Sequence, residues 1–249
     1  MVNPQTKFAL VIPTLREAAN LPPLLDRIRR ALDQTGIPCE ILIVDDDSRD
    51  GTVDVVNAIS AGDPRVRLLV RQGERGLAGA VMHGWRHTSA EILGVMDGDL
   101  QHPPELLPQL LAEIASGHDL VIASRYANGG SLGGWNPLRR GLSAAAVAAT
   151  MPLQPGPTLV RDPMSGFFLV RRHCVPKEIL QPHGFKLLLE ILVRGNVRTV
   201  SEIPFTFGDR EAGSSKARLK VAREYLTLLA KLYAEKGRPA GVAEQPAGD

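Results

Sequence analysis

Only two cysteines, Cys39 and Cys174, occur in a chain of 249 residues. They stand far apart, with no Cys-x-x-Cys pair and no histidine-rich neighbour, which argues against a disulfide framework and a zinc site and fits a reducing, cytosolic setting. Long apolar runs are missing too. The stretch from Phe8 to Ile12 is too short for a secretory core and meets Pro13, while Leu142 to Leu153 is interrupted at Pro152, well short of the ~20 residues that span a bilayer. Any membrane contact is expected to be peripheral. The formal net charge of +2 makes no case for nucleic acid as a partner. With 44% hydrophobic and 22% charged residues, the composition excludes a disordered chain, and the length suffices for one domain with a sizeable core. The charge is uneven, with acids clustered early and bases late.

Short, continuous apolar runs at Phe8–Ile12, Ile41–Val44, Val66–Val70, Ile92–Met96 and Leu120–Ala123 read as buried parallel strands. Helical spacing separates them, in Leu21 to Leu32, Val53 to Ile59, Leu77 to His87 and Leu106 to Ile114. The alternation predicts an α/β doubly wound sheet covered on both faces, whose ligands bind beyond the carboxyl ends of the strands. Further on, the sequence predicts a helix from Asn136, strands at Phe167–Val170 and Val197–Ile203, a helix over Ala217–Glu235, and a disordered tail from Gly237.

Three segments carry the chemistry. The run Asp45-Asp46-Asp47-Ser48-Arg49-Asp50-Gly51-Thr52 puts several mutually repelling carboxylates at a strand end, where a cation, a base edge or ribose hydroxyls would satisfy them; capping of the next helix is the competing reading for Ser48 and Asp50. In Asp97-Gly98-Asp99-Leu100-Gln101-His102-Pro103-Pro104, alternate carboxylates and the Gln101 amide oxygen suit one hard divalent cation, magnesium or manganese. His102, beside two prolines, reads as packing the turn. Arg210 to Lys216 is a basic loop suited to a diphosphate leaving group, or else a solvated loop with Ser215 as a helix cap. Gly73, Gly76 and Gly79 recur at equal spacing after the third strand. They lack the nicotinamide-binding pattern and read as loop and helix-start glycines.

Taken in order, Pro13-Thr14-Leu15-Arg16-Glu17, the Asp45 to Thr52 run, Asp97 to Pro104, Ser124-Arg125-Tyr126, Asp162-Pro163-Met164-Ser165-Gly166-Phe167-Phe168 and Gly213-Ser214-Ser215-Lys216 make the chain resemble the polyprenol (dolichol) phosphate mannose synthases. These are family 2 glycosyltransferases. The likeness covers nearly the whole chain and implies a GT-A fold, with a mainly parallel central sheet flanked by helices and an amphipathic C-terminal helix. One GT-A domain is expected over 1–236, with 237–249 as the tail.

The resemblance implies a sugar nucleotide donor held by Pro13, Leu15, Glu17, Val44, Asp46, Asp97, Gly98, Asp99, Lys186, Arg210 and Lys216. It implies a divalent cation on Asp99 and Gln101, a lipid-linked phosphate acceptor held by Arg125, Arg139 and Ser143, and catalysis resting on Asp97, Asp99 and Arg210. Arg16 departs from the family pattern, which commonly has asparagine there. The implied reaction is inverting transfer of mannose from GDP-mannose to a polyprenyl phosphate. The alternatives are UDP-glucose or another donor in the same reaction, and a non-catalytic sugar-nucleotide-binding subunit. Leu219, Ala222, Leu226, Leu229 and Tyr233 share a helical stripe beside Lys216, Arg218, Lys220, Arg223, Lys231 and Lys236. Such a helix lies at an anionic membrane surface or packs on the domain or a partner. The expected location is peripheral, at the cytoplasmic face of a membrane, with an integral membrane partner subunit or a homo-oligomer as further possibilities.

Overall fold

The computed structural model describes residues 7–73, 75–131, 134, 137–154, 159–176, 186–206 and 218–236; at 139 and 218–222 it describes the main chain alone. Strands β1 (Phe8–Thr14), β2 (Cys39–Asp45), β3 (Val66–Val70), β4 (Ile92–Val95), β5 (Leu120–Ser124), β6 (Phe168–Arg171) and β7 (Val200–Pro204) form a seven-stranded sheet in the order β3-β2-β1-β4-β6-β5-β7. The helices are α1 (Leu21–Asp33), α2 (Thr52–Gly62), α3 (Leu77–Arg86), α4 (Leu107–Ala115), α5 (Pro137–Ala148), α6 (Leu187–Arg194) and α7 (Arg218–Lys236).

Continuous apolar strands are explained by a sheet buried on both faces. Phe8, Leu10, Ile12, Ile41 and Ile43 pack with Leu24, Ile28, Val56 and Leu110 of α1, α2 and α4, whereas Val11, Leu42 and Val44 pack with Val81 and Trp85 of α3. Alternate side chains thus meet helices on opposite sides.

Two features differ from the sequence expectation. β6 runs antiparallel to both β4 and β5, so β5 joins the parallel set only through β6, with β7 parallel to β5 at the far edge. An apolar run records burial and carries no mark of direction. Helix α6 was not anticipated, because Leu187 to Val193 is apolar with a single Glu190 and lacks a polar stripe; all of Leu187 to Leu192 is buried. The C-terminal helix is present, and its stripe divides. Leu228, Leu229 and Leu232 pack on Leu153 and on Leu189 of α6, while Leu226 and Tyr233 remain exposed. The tail, with Arg210 and Lys216, lies outside the described residues.

Candidate active site

The carboxyl ends of β1, β2, β4 and β5 share one edge of the sheet, and the loops leaving the first three are wound tightly. Arg16, Asp47, Arg49 and Leu100 hold φ of 64°, 53°, 53° and 63°, the left-handed region that non-glycine residues enter at a cost of about 1 kcal/mol or more. Cross-loop hydrogen bonds hold them there. The Thr14 hydroxyl donates to Val44 O and Asp45 Oδ1 (3.3 and 3.2 Å), the Arg16 amide to Ser48 Oγ (2.8 Å) and the Ala18 amide to Asp50 Oδ2 (3.2 Å).

Asp45, Asp47 and Asp50 of the acidic run each find partners within the protein. Asp45 accepts from Thr14, from the Ser48 amide (2.9 Å) and from the Ser48 hydroxyl. Asp47 pairs with Arg49 (2.9 Å), and Asp50 accepts from the Thr52 amide (3.1 Å) and hydroxyl (2.6 Å) at the start of α2, the role the capping reading gave it. Asp46 is different. It is 4% exposed, accepts from the Gly76 amide (2.8 Å) and lies 3.0 Å from Arg71 Nη1. Burial pushes its carboxyl above the usual range, opposed by the Gly76 amide and Arg71. Pro13 is half-buried and Leu15 is 44% exposed on the β1 loop, with Glu17 accepting from Asn20 (2.6 Å); Val44 is fully buried against α3.

The β4 loop lies over the β1 loop, since a Cβ placed on Gly98 would meet Thr14 Cγ2 at 3.5 Å and Glu17 Cγ at 3.7 Å. Asp99 Oδ1 accepts from the Gln101 main-chain amide (3.2 Å), and Asp97, Asp99 and Gln101 are each half-exposed. Their oxygens are hard donors of the kind magnesium and manganese take, so the residues fit a divalent cation. His102 packs the turn as expected, with its ring 5.9 Å from that of Phe167 and 5.5 Å from that of Phe205. Burial first, and Arg125 next, push it down to about 3, so it is neutral.

Behind Asp97 stands a residue whose role the sequence did not reveal. A Cβ on Gly166 would fall 2.3 Å from Asp97 Oδ2, so this position admits glycine alone while the carboxylate stays in place. Four residues earlier, Asp162 is fully buried and grips Arg125 with both oxygens, Nε to Oδ2 and Nη2 to Oδ1 each at 2.8 Å. Its own main chain is held in turn, for the amides of Arg161 and Asp162 donate to Glu202 on β7 (3.0 and 3.1 Å). Arg125 packs 5.9 Å from the Tyr126 ring, and the Tyr126 hydroxyl donates to Ser143 Oγ (2.7 Å), so two predicted acceptor residues are joined through Tyr126. The third, Arg139, lies four residues before Ser143 on α5, with its side chain outside the described residues. Lys186 closes the group. Burial first and Arg125 second lower its ammonium, while Asp97 and Asp162 raise it. The signal for Asp162 and Gly166 was a turn motif at a strand entrance, which the sequence could mark as ordered but not as facing Asp97.

At the opposite edge Asp119, His173 and Cys174 bring ligand atoms within 4.8 Å of one another. Asp119 accepts there from the Arg198 and Thr199 amides (2.9 and 3.2 Å), and burial next to that carboxylate raises the Cys174 thiol to about 11. This is the signature of a loop clasp.

The profile of glycosyl transferase family 2 matches residues 9–177. A dolichol-phosphate mannosyltransferase of Pyrococcus furiosus is 41% identical over 93% of this chain, which spans 65% of that relative's length. A dolichol-phosphate mannosyltransferase of Mycosarcoma maydis is 38% identical over 90% of the chain and 78% of its own length. Among solved structures, glucosyl-3-phosphoglycerate synthase from Mycobacterium tuberculosis, in complex with Mn2+, UDP-glucose and phosphoglyceric acid, superposes with a TM-score of 0.67 at 21% identity, over 95% of this chain and 81% of that one. That likeness shows the fold, which is the expected GT-A architecture.

Proposed function

The chain belongs to glycosyl transferase family 2, and from that membership we propose that it transfers mannose from GDP-mannose to a polyprenyl phosphate with inversion at the anomeric carbon. One observation carries the reading furthest. Asp97 and Lys186, on the side of the site that would take donor and metal, are within electrostatic reach of Arg125, on the side that would take an anionic acceptor. An arrangement that neutralises two anions side by side is what transfer between two phosphates requires.

A divalent cation held by Asp99 and Gln101 would supply charge stabilisation to the departing diphosphate. Pro13, Leu15, Glu17 and Asp46 line the nucleotide side. Asp97, held against Gly166, takes the sugar end of the donor, flanked by Lys186. Arg125 is fixed by Asp162 and presents a positioned charge to the acceptor phosphate, with Ser143 and Arg139 on the adjoining helix. A phosphate monoester is largely dianionic at neutral pH and attacks without a general base. His102, neutral and buried, takes no proton. The new bond joins a phosphate oxygen to the anomeric carbon as the bond from that carbon to the diphosphate breaks, and the electron pair leaves with the nucleotide. Arg210 and Lys216 are assigned to that leaving group by motif.

The acceptor's lipid calls for a membrane surface, and among the described residues no helix is long and apolar enough to cross one. Peripheral attachment at the cytoplasmic face is supported by Leu138 and Leu142 on α5 (73% and 65% exposed) and Leu226 on α7 (63% exposed), with Arg223 and Lys231 exposed on α7. Purified protein incubated with polyprenyl phosphate, manganese or magnesium, and labelled GDP-mannose or UDP-glucose tests the reading. Chelator-sensitive label in the lipid phase from GDP-mannose is expected. Label from UDP-glucose alone would change the donor, and none from either would overturn the proposal.

A further inference from the structure

The three evenly spaced glycines after β3 are not explained by the roles assigned so far, and neither is a buried arginine. Arg71 follows β3 directly and is 5% exposed. Its amide donates to Asp45 O (2.8 Å), continuing the sheet by one residue, and its guanidinium turns back toward the β2 loop, where Nη1 lies 3.0 Å from Asp46 Oδ1 and donates to Gly76 O (3.2 Å). The second Asp46 oxygen accepts from the Gly76 amide (2.8 Å). Arg71, Asp46 and Gly76 therefore close a ring in which each touches the other two.

The glycines make the ring possible. Gly76 holds φ of 134°, which a side chain would strain, and there it offers amide and carbonyl to the two partners of one ion pair. Gly79 lies in the first turn of α3, where a Cβ would fall 2.8 Å from Arg71 Nη2 and 3.2 Å from Nη1. A terminal guanidinium is ordinarily free to step aside. This one is buried and held by Asp46 and Gly76, so a methyl at 79 moves the group that orients the carboxylate.

We propose that Arg71, seated by Gly76 and Gly79, is a positioning residue for the donor nucleotide: it fixes the Asp46 carboxylate in the orientation that receives the nucleoside. The inference rests on the proposed placement of Asp46 on the nucleotide side. Its reach is limited in a useful way, because the ring is built on the β2 and β3 loops while the residues proposed for the metal sit on the β4 loop and those assigned to the diphosphate by motif, Arg210 and Lys216, lie far along the chain. Arg71 should therefore affect recognition of the nucleoside and leave the diphosphate alone.

The test measures dissociation constants of GDP and of inorganic pyrophosphate, each with manganese, for the wild type and for Asp46→Asn, Arg71→Ala, Arg71→Lys, Gly79→Ala and the Asp46→Asn/Arg71→Ala double variant. Arg71→Ala is expected to weaken GDP about tenfold or more, since a carboxylate no longer held must be ordered on binding, and to leave pyrophosphate within about twofold. The double variant should bind GDP no worse than Asp46→Asn alone, since a residue acting only through Asp46 has nothing left to position. Arg71→Lys keeps the charge without the fork and should recover part of the loss, and Gly79→Ala should reproduce a milder form. If Arg71→Ala fails to fold, the last two variants carry the test. Unchanged GDP binding in Arg71→Ala with a loss in Asp46→Asn overturns the inference and keeps the placement of Asp46. No loss in Asp46→Asn removes the placement itself. Equal losses for GDP and pyrophosphate, or additive losses in the double variant, mark Arg71 as scaffold only and overturn the inference.

Discussion

The two edges of the sheet use charged side chains differently. At the amino edge, those around β5 and β6 are committed to the main chain, while Arg65 and Arg67 at the start of β3 pair with Asp33, Asp63 and Glu40. Arg172 donates to the carbonyls of Ala90, Trp85 and Thr88 (2.6, 3.2 and 3.0 Å), Arg171 to those of Ile114 and His118, and Asp119 accepts the two amides before β7. At the carboxyl edge, charges face charges, as in Arg125 with Asp162 and Arg71 with Asp46, and Lys186 stands within reach of Asp97. The four left-handed non-glycine residues belong to the carboxyl edge as well. One edge closes loops through main-chain carbonyls and amides, whereas the other gathers left-handed residues and buried charge pairs in one place. Strain of the left-handed kind persists only where surrounding structure enforces it.

This contrast can be broken from either side, and the largest effect is expected at Asp99. Asp99→Ala should lower kcat by about a thousandfold or more, the scale of losing a metal or oxyanion contact, with the thermal midpoint unchanged; steady-state rates beside a melting curve decide it. Next, Asp162→Ala should affect both properties, because it leaves Arg125 buried without its fork partner: about 3 to 5 kcal/mol of stability and a marked rise in KM for the lipid phosphate. Denaturant titration and acceptor saturation curves measure the two. Arg172→Ala should cost roughly 2 to 3 kcal/mol, for three carbonyls lose a donor, with kcat within about twofold. A collapse of kcat there would erase the distinction between the edges. The smallest effect concerns reactivity. Because the Cys174 thiol is raised to about 11 and is fully buried, it should be alkylated at about pH 8 far more slowly than the half-buried Cys39. Alkylation mapped by mass spectrometry compares the two, and equal rates would contradict it.

Much of this arrangement was legible in the residues. Strands β1 to β5 were found because burial on both faces leaves unbroken apolar runs, and the Asp97 to Gln101 constellation because a strand end, alternate acids and a proline-started helix coincide. The acidic run after β2 reads as dense charge; its bonds to Ser48 and Thr52 are local, whereas those to Thr14 and Ala18 depend on two loops meeting, which no local pattern encodes. The same limit hid Gly166, whose neighbour Asp97 is far away in sequence, and Asp162, which looks like any turn-starting acid. The unforeseen α6 and the reversed β6 share another cause: a segment buried all round carries no period and no arrow.

The reversed strand has a consequence in time. β4 and β5 each pair with β6 and not with each other, so the half of the sheet bearing Asp46 and Asp97 and the half bearing Arg125 have no shared ladder until Phe168–Arg171 arrives between them. A chain emerging from the ribosome would hold residues of both halves outside the exit tunnel well before it could join them, and Gly166, just ahead of that strand, comes into register behind Asp97 in the same event. Pairing over such sequence separation is slow. On this topology the candidate site is expected to come together only once β6 has docked, so a chain that stops short of Phe168 would carry parts of the site without joining them.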